Sequence, residues 1–226
     1  AVAAIEPAAA FARDRTLFAL EGVGFDPASA AYQCLFSAPE GSLTVTASAN
    51  SATSMQCAVE AWTFEAAEVE VEVLDGGVPL QLLERLTITF LQSFSALSPA
   101  SIPASGAILY LRGAGFRTDS QYACKFSLGG LLVMQTPATI VNRTLANCVL
   151  STWPTAHGKA SVSLQWLAGG VAVAALGDRS LDVTDRLSSL SSSSLSAFGA
   201  ELVNVSGWGF ALGEASAYEL ELRLPN

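Results

Sequence analysis

Leu109-Tyr110-Leu111-Arg112-Gly113-Ala114-Gly115-Phe116 is the stretch that decides how this chain is read. Leu109 and Leu111 alternate with Tyr110 and Arg112, the period of a strand with one buried and one wet face. The closing Gly-x-Gly-Phe occurs twice more. Phe18-Ala19-Leu20-Glu21 runs into Gly22-Val23-Gly24-Phe25, and Val203-Asn204-Val205-Ser206 runs into Gly207-Trp208-Gly209-Phe210. Phe25 and Phe116 lie 91 residues apart, Phe116 and Phe210 94. Cys34 and Cys124 (90), Cys57 and Cys148 (91), Trp62 and Trp153 (91), and the pairs Gly76-Gly77 and Gly169-Gly170 (93) keep nearly the same step. Such a period is too long for a helical solenoid and suits a small β-sandwich copied along the chain.

Other segments of each copy also read as strands. Tyr32, Cys34 and Phe36 share a face, as do Tyr122, Cys124 and Phe126; in the third copy the places are held by Tyr218, Leu220 and Leu222, with Glu219, Glu221 and Arg223 opposed. Val69, Val71 and Val73 alternate with Glu68, Glu70 and Glu72, and Ala160, Val162 and Leu164 with Lys159, Ser161 and Ser163. Each run then meets a Gly-Gly turn suited to a hairpin. Leu80 to Leu86 reads as a final strand, with a helical turn as the alternative. The units are placed at 1–92, 93–185 and 186–226. The third halts at Leu224-Pro225-Asn226 with about half its strands, so a longer parent chain or a neighbouring molecule is expected to complete it. Ser188 to Ser196 reads as linker and first strand, with O-linked sugar as an alternative. The opening AVAAIEP has no initiator Met and no signal-peptide pattern, as in a processed product or internal fragment.

The four cysteines fall as one pair per complete unit, Cys34 with Cys57 and Cys124 with Cys148, at intervals of 23 and 24 residues. Three pairings are open to four cysteines, and the repeat selects this one. Reduced core thiols in a cytosolic protein are the alternative. Closing loops of this length stabilises each unit by about 3 kcal/mol in the chain-entropy model, and disulfides belong to an oxidising compartment. The sequons Asn142-Arg143-Thr144 and Asn204-Val205-Ser206 accord with secretion and an N-linked glycan; Asn142 sits in a polar interstrand segment and Asn204 on an outward face. Unmodified surface asparagines are the other reading.

Of 226 residues, 51% are hydrophobic and 14% charged, enough apolar material for closed cores. Much of it is alanine. The longest apolar stretch, Leu167 to Leu176, is far short of the roughly 20 residues that span a bilayer, so no membrane insertion is expected in this segment. The formal charge is −9 and the eleven Lys and Arg are scattered, which disfavours nucleic acid and anionic membrane surfaces as partners.

Chemistry-bearing residues are sparse. His157, the single histidine, lies in a turn before Gly158, without a Gly-x-Ser-x-Gly elbow anywhere to supply a nucleophile, and reads as solvated. Glu65, Glu68, Glu70 and Glu72 form the densest acidic cluster, but no Asp-x-Asp-x-Asp-Gly loop accompanies them to converge on calcium. A solvated strand face that discourages edge pairing is the preferred reading. No Cys-x-x-Cys occurs. No catalytic residue, cofactor or metal is assigned, and the chain is read as not an enzyme. The glycines of the Gly-x-Gly-Phe signature are read as turn glycines, with Phe25, Phe116 and Phe210 entering the core. Trp62 and Trp153 recur after the second cysteine and read as packing against the disulfide or a neighbouring unit. Trp166 and Trp208 have no aromatic counterpart in the other units, which makes them candidate contact residues, with local packing as the alternative.

From Leu97 to Val171 the chain resembles the IPT/TIG family, the immunoglobulin-like, plexin and transcription-factor type. The matching parts are Ser98-Pro99, Gly106, Gly113 to Phe116, Cys124-Lys125-Phe126, Cys148 with Pro154, Gly158 to Leu164, and Gly169-Gly170. The first unit has Thr63 in place of Pro154 and lacks the glycine matching Gly106; the third matches only in its first half, with Gly199 present. The resemblance implies an all-β fold of tandem immunoglobulin-like sandwiches, two complete and a partial third, used as spacer and protein-interaction modules. The cysteine pairs and negative charge select the extracellular, plexin- and receptor-like branch. Three functions then stand: a structural or adhesive region of a cell-surface glycoprotein that binds other chains or copies of itself, as in a filament, matrix or ciliary appendage; a ligand-binding receptor ectodomain; and a spacer in a secreted enzyme.

Overall fold

The computed structural model describes residues 1–192, 202–210, 218–219 and 221. Leu220, Leu222, Arg223 and Gly199 lie outside the described residues. The first unit contains β1 (Val2–Glu6), β2 (Ala9–Phe11), β3 (Thr16–Gly22), β4 (Tyr32–Ala38), β5 (Gly41–Ser51), β6 (Ser54–Val59), β7 (Glu68–Asp75), β8 (Val78–Pro79) and β9 (Leu86–Leu91). The second contains β10 (Ser93–Ser98), β11 (Ser101–Pro103), β12 (Ala107–Ala114), β13 (Tyr122–Leu128), β14 (Leu131–Asn142), β15 (Leu145–Leu150), β16 (Gly158–Trp166), β17 (Val171–Ala172), β18 (Ala174–Ala175) and β19 (Ser180–Thr184). β20 (Arg186–Leu190) and β21 (Val205–Trp208) open the third. The architecture is all-β, a tandem of immunoglobulin-like sandwiches.

Each sandwich is made by one long strand that changes sheets. β5 pairs with β4 from Gly41 to Thr46 and with β6 from Ala47 onward. β14 does the same, on β13 up to Ala138 and on β15 from Ala138 onward. One sheet of the first unit is therefore β1-β3-β6-β5 and the other β5-β4-β7-β9-β2. The first strand is divided at a proline, sending β1 and β2, and likewise β10 and β11, to opposite sheets.

Alternation places one face of each strand inside. Phe18, Leu20, Phe36, Val69, Val71 and Val73 are fully enclosed in the first core; Leu109, Leu111, Phe126, Val162 and Leu164 are enclosed in the second. Bonds join Cys34 to Cys57 and Cys124 to Cys148, linking β4 to β6 and β13 to β15 across each core. Trp62 stacks on Phe90 at 4.5 Å between ring centroids, and Trp153 meets Phe126 edge-on at 6.2 Å.

The Gly-x-Gly-Phe turn is built alike three times. A Cβ on Gly22, Gly113 or Gly207 would collide with the carbonyl oxygen of Ala1, Ser93 or Arg186 on the neighbouring strand and with the following Phe ring. The pairing of β1 with β3, β10 with β12 and β20 with β21 also carries the same register shift. Phe25 and Phe116 are buried; Phe210 is half-buried against Tyr218.

Three expectations are corrected. Leu80 to Leu86 is not the final strand; β9 is. Residues 80–85 are tied to β1 by bonds from the Val2 amide to Gln81 O and from the Leu83 amide to Val2 O, which hold a crossing segment rather than a ladder. The Glu68, Glu70 and Glu72 face does not guard an edge, because β7 is paired on both sides, with β4 and β9. Val205 is exposed, not enclosed, since its strand has only β20 beside it among the described residues.

Candidate functional site at the junctions between units

The end of the first unit is a short rigid loop. The Trp62 amide donates to Ala12 O at 2.8 Å, and its indole Nε1 donates to Glu65 O at 2.8 Å. Ring stacking on Phe90 fixes the rest. The loop therefore aims the Ala66 amide outward, and that amide donates to Gly115 O of the second unit at 2.9 Å. Gly115 has φ of 75°, a conformation that L side chains rarely adopt. A Cβ there would also stand 3.1 Å from the Ala12 methyl and 3.3 Å from that of Ala66. Ala114 is buried within the first unit's core cluster.

The next junction repeats this arrangement. The Trp153 amide donates to Ala104 O at 2.8 Å, and its indole donates to Ala156 O at 3.1 Å. The His157 amide, in the place of Ala66, donates to Gly209 O at 2.8 Å. Gly209 has φ of 82°, and a Cβ on it would lie 2.9 Å from the Ala104 methyl. His157 is an exposed turn residue, and it also reaches across the junction. Its Nδ1 lies 2.8 Å from Asp185 Oδ1 and 3.1 Å from Gly209 O, which holds the ring across the junction.

Around the first junction the sequence adds polar clamps. Glu65 is buried rather than part of a wet face, and its Oε1 accepts from the Thr118 amide at 2.8 Å and the Thr118 hydroxyl at 2.6 Å. The Glu65 amide donates to Glu40 Oε2 at 3.3 Å; that carboxylate also meets Arg143 Nη2 at 3.2 Å. The Tyr122 hydroxyl accepts from the Arg117 amide at 3.0 Å and donates to Gln92 at 2.8 Å. Burial pushes its ionisation above the ordinary 10.0, against the opposing pull of these hydrogen bonds.

Beside the clamps lies an apolar cleft of about 420 Å³, walled by Phe11, Phe90 and Leu91 from one unit and Arg117, Trp166 and Val173 from the next. The Arg117 guanidinium carbon sits 5.4 Å from the Trp166 ring centroid, a cation–π contact. Arg117 Nε and Trp166 Nε1 are buried donors with no hydrogen-bond acceptor. Trp166 thus lies at a junction, half-buried. Trp208 is half-exposed, one residue before the junction glycine Gly209. Asn142 ends β14, exposed, with its Oδ1 accepting from the Thr144 amide and hydroxyl at 2.9 Å; Asn204 is also exposed. Among the described residues no group of three His, Cys, Asp or Glu side chains is placed to hold a metal, and no helix is long and apolar enough to cross a membrane.

Nothing in the sequence patterning marks Glu65, Thr118, Gln92 or Arg117 as junction residues. The available signal was the spacing of Ala12 and Ala104, small residues 92 apart, each facing a junction glycine.

No protein-family model and no curated protein matches the chain. Solved structures similar to it include the plexin A4 extracellular region, at 10% identity and TM-score 0.33 over 79% of this chain and 26% of that one. The tandem titin immunoglobulin domains A164-A165 give 14% and 0.32, over 80% and 92% respectively. A tetra-tandem repeat from the extending region of a large adhesion protein gives 14% and 0.36, over 84% and 52%. The chain spans about a quarter of the length of that plexin region.

Proposed function

We propose that this chain is a non-enzymatic structural or adhesive region of an extracellular glycoprotein, a rod of IPT/TIG-type units at 1–92, 93–185 and 186–226. The observation that carries the reading is the repeated junction: the Ala66 amide on Gly115 O and the His157 amide on Gly209 O. Two successive units are docked by the same backbone bond, against the same alanine, rather than hung on a free linker. A series of sandwiches docked alike extends in one direction and presents its sides to partners. The cross-sheet disulfides suit an oxidising compartment, and in this reading the exposed Asn142 and Asn204 would carry N-linked glycans. Partners would be other protein chains, copies of this one included, with Trp208 and the cleft at Trp166 as contact surfaces. That cleft, with its aromatic wall and the Arg117 guanidinium at its rim, also favours a second reading, a receptor ectodomain that binds a protein ligand.

Electron microscopy of the native assembly tests the choice. A filament with a regular axial repeat is the outcome for the rod. A lone soluble monomer overturns it.

A further inference from the structure

The first unit carries the same turn as the other two, yet among the described residues nothing packs against it. Gly24 has φ of 81°, against 75° at Gly115 and 82° at Gly209. At the two later glycines an added Cβ would press on an alanine of the preceding unit; at Gly24 there is nothing within 4 Å. The neighbouring residue agrees. Ala114 is buried at the first junction and Trp208, at the second, is 37% exposed, whereas Val23, in their place, is 59% exposed. Backbone and side chain at this corner are thus shaped as at a junction, and an apolar side chain stands in water.

We propose that the Val23–Gly24 turn is a docking face for the trailing end of another unit of this kind. The occupant would present an alanine in the place of Ala12 and a backbone amide in the place of Ala66, donated to Gly24 O. Its chemistry is specified by the two occupied junctions: a small residue for the close approach, a tryptophan loop to aim the amide, and no demand for charge. The face does not reproduce the Glu65 clamp, because Pro27 stands where Thr118 would be and has no amide to donate. The inference rests on the rod reading and extends it to this end of the first unit.

The test is a chain in which residues 1–92 are repeated immediately ahead of Ala1, so that Ala1 takes the place of Ser93. Amide hydrogen exchange is then read at both copies of Ala66. The amide of the original unit, facing Gly115, reports the natural junction; the amide of the added copy reports the new one. The inference predicts that both are protected, and that Val23→Asp speeds exchange at the added copy by about tenfold or more while the original stays slow. Protection at the original alone overturns this inference and leaves the rod standing. Protection at neither overturns both. If the added copy fails to show protected core amides of its own, residues 93–185 repeated ahead of Ala1 serve instead. The copied His157 amide is then the reporter: its protection supports the docking face, and its free exchange overturns it.

Discussion

Gly24 and Gly115 hold the same place in successive units with nearly the same φ, but only Gly115 has another unit against it. Replacing either by alanine forces a side chain into the left-handed region, at about 1–2 kcal/mol. Gly115→Ala must also push Ala12 and Ala66 aside, so it is expected to lower the melting temperature more than Gly24→Ala; equal shifts would mean that the junction contact contributes nothing. Glu65→Ala removes the charged acceptor of two bonds from Thr118 and is expected to cost about 2 kcal/mol in denaturant unfolding, with Glu65→Gln, which keeps an acceptor, losing less. Tyr122 gives a pH signature. Its ionisation is raised in the folded protein, so its contribution is intact below the unfolded value of 10.0 and is lost as pH rises above it. Stability should fall in that alkaline range, and one tyrosine should ionise later than the others by ultraviolet absorbance. The glycines were legible in sequence because backbone conformation imposes a residue type. Glu65 reads in sequence as part of a solvated face, because its acceptor role is set by Thr118, 53 residues away. Neither periodicity nor local spacing contains that distance.

Strands such as β3, β4, β7, β13 and β16 followed from period-two patterning, since each has one face in a core. Patterning failed where a neighbour rather than a face decides the outcome. Leu80 to Leu86 has the apolar content of a strand, yet it is a crossing segment held to Val2 by single bonds. The glutamates of β7 looked like edge protection, and only the sheet order reveals β4 and β9 on both sides. The sheet changes of β5 and β14 are likewise a matter of partners, not of sequence period. Because both long strands bridge the sheets, the disulfides brace connections that already exist. Replacing Cys124 and Cys148 together by alanine is expected to destabilise the second unit by about 2–5 kcal/mol. The first unit should keep its own bridge and core, which differential scanning calorimetry would show as a shift confined to one transition.

Across the whole molecule, the repeat of 91 to 94 residues in the sequence reappears as a repeat of contacts. What the spacing could not convey is how tightly units are joined, since that depends on a few atoms at each corner. In the proposed rod, Ala66 and His157 lock successive sandwiches together. The most direct measurement is backbone ¹⁵N relaxation over the first two units. One rotational correlation time shared by β1–β9 and β10–β19 is the predicted result. Two independent correlation times, each that of a single sandwich, would contradict it.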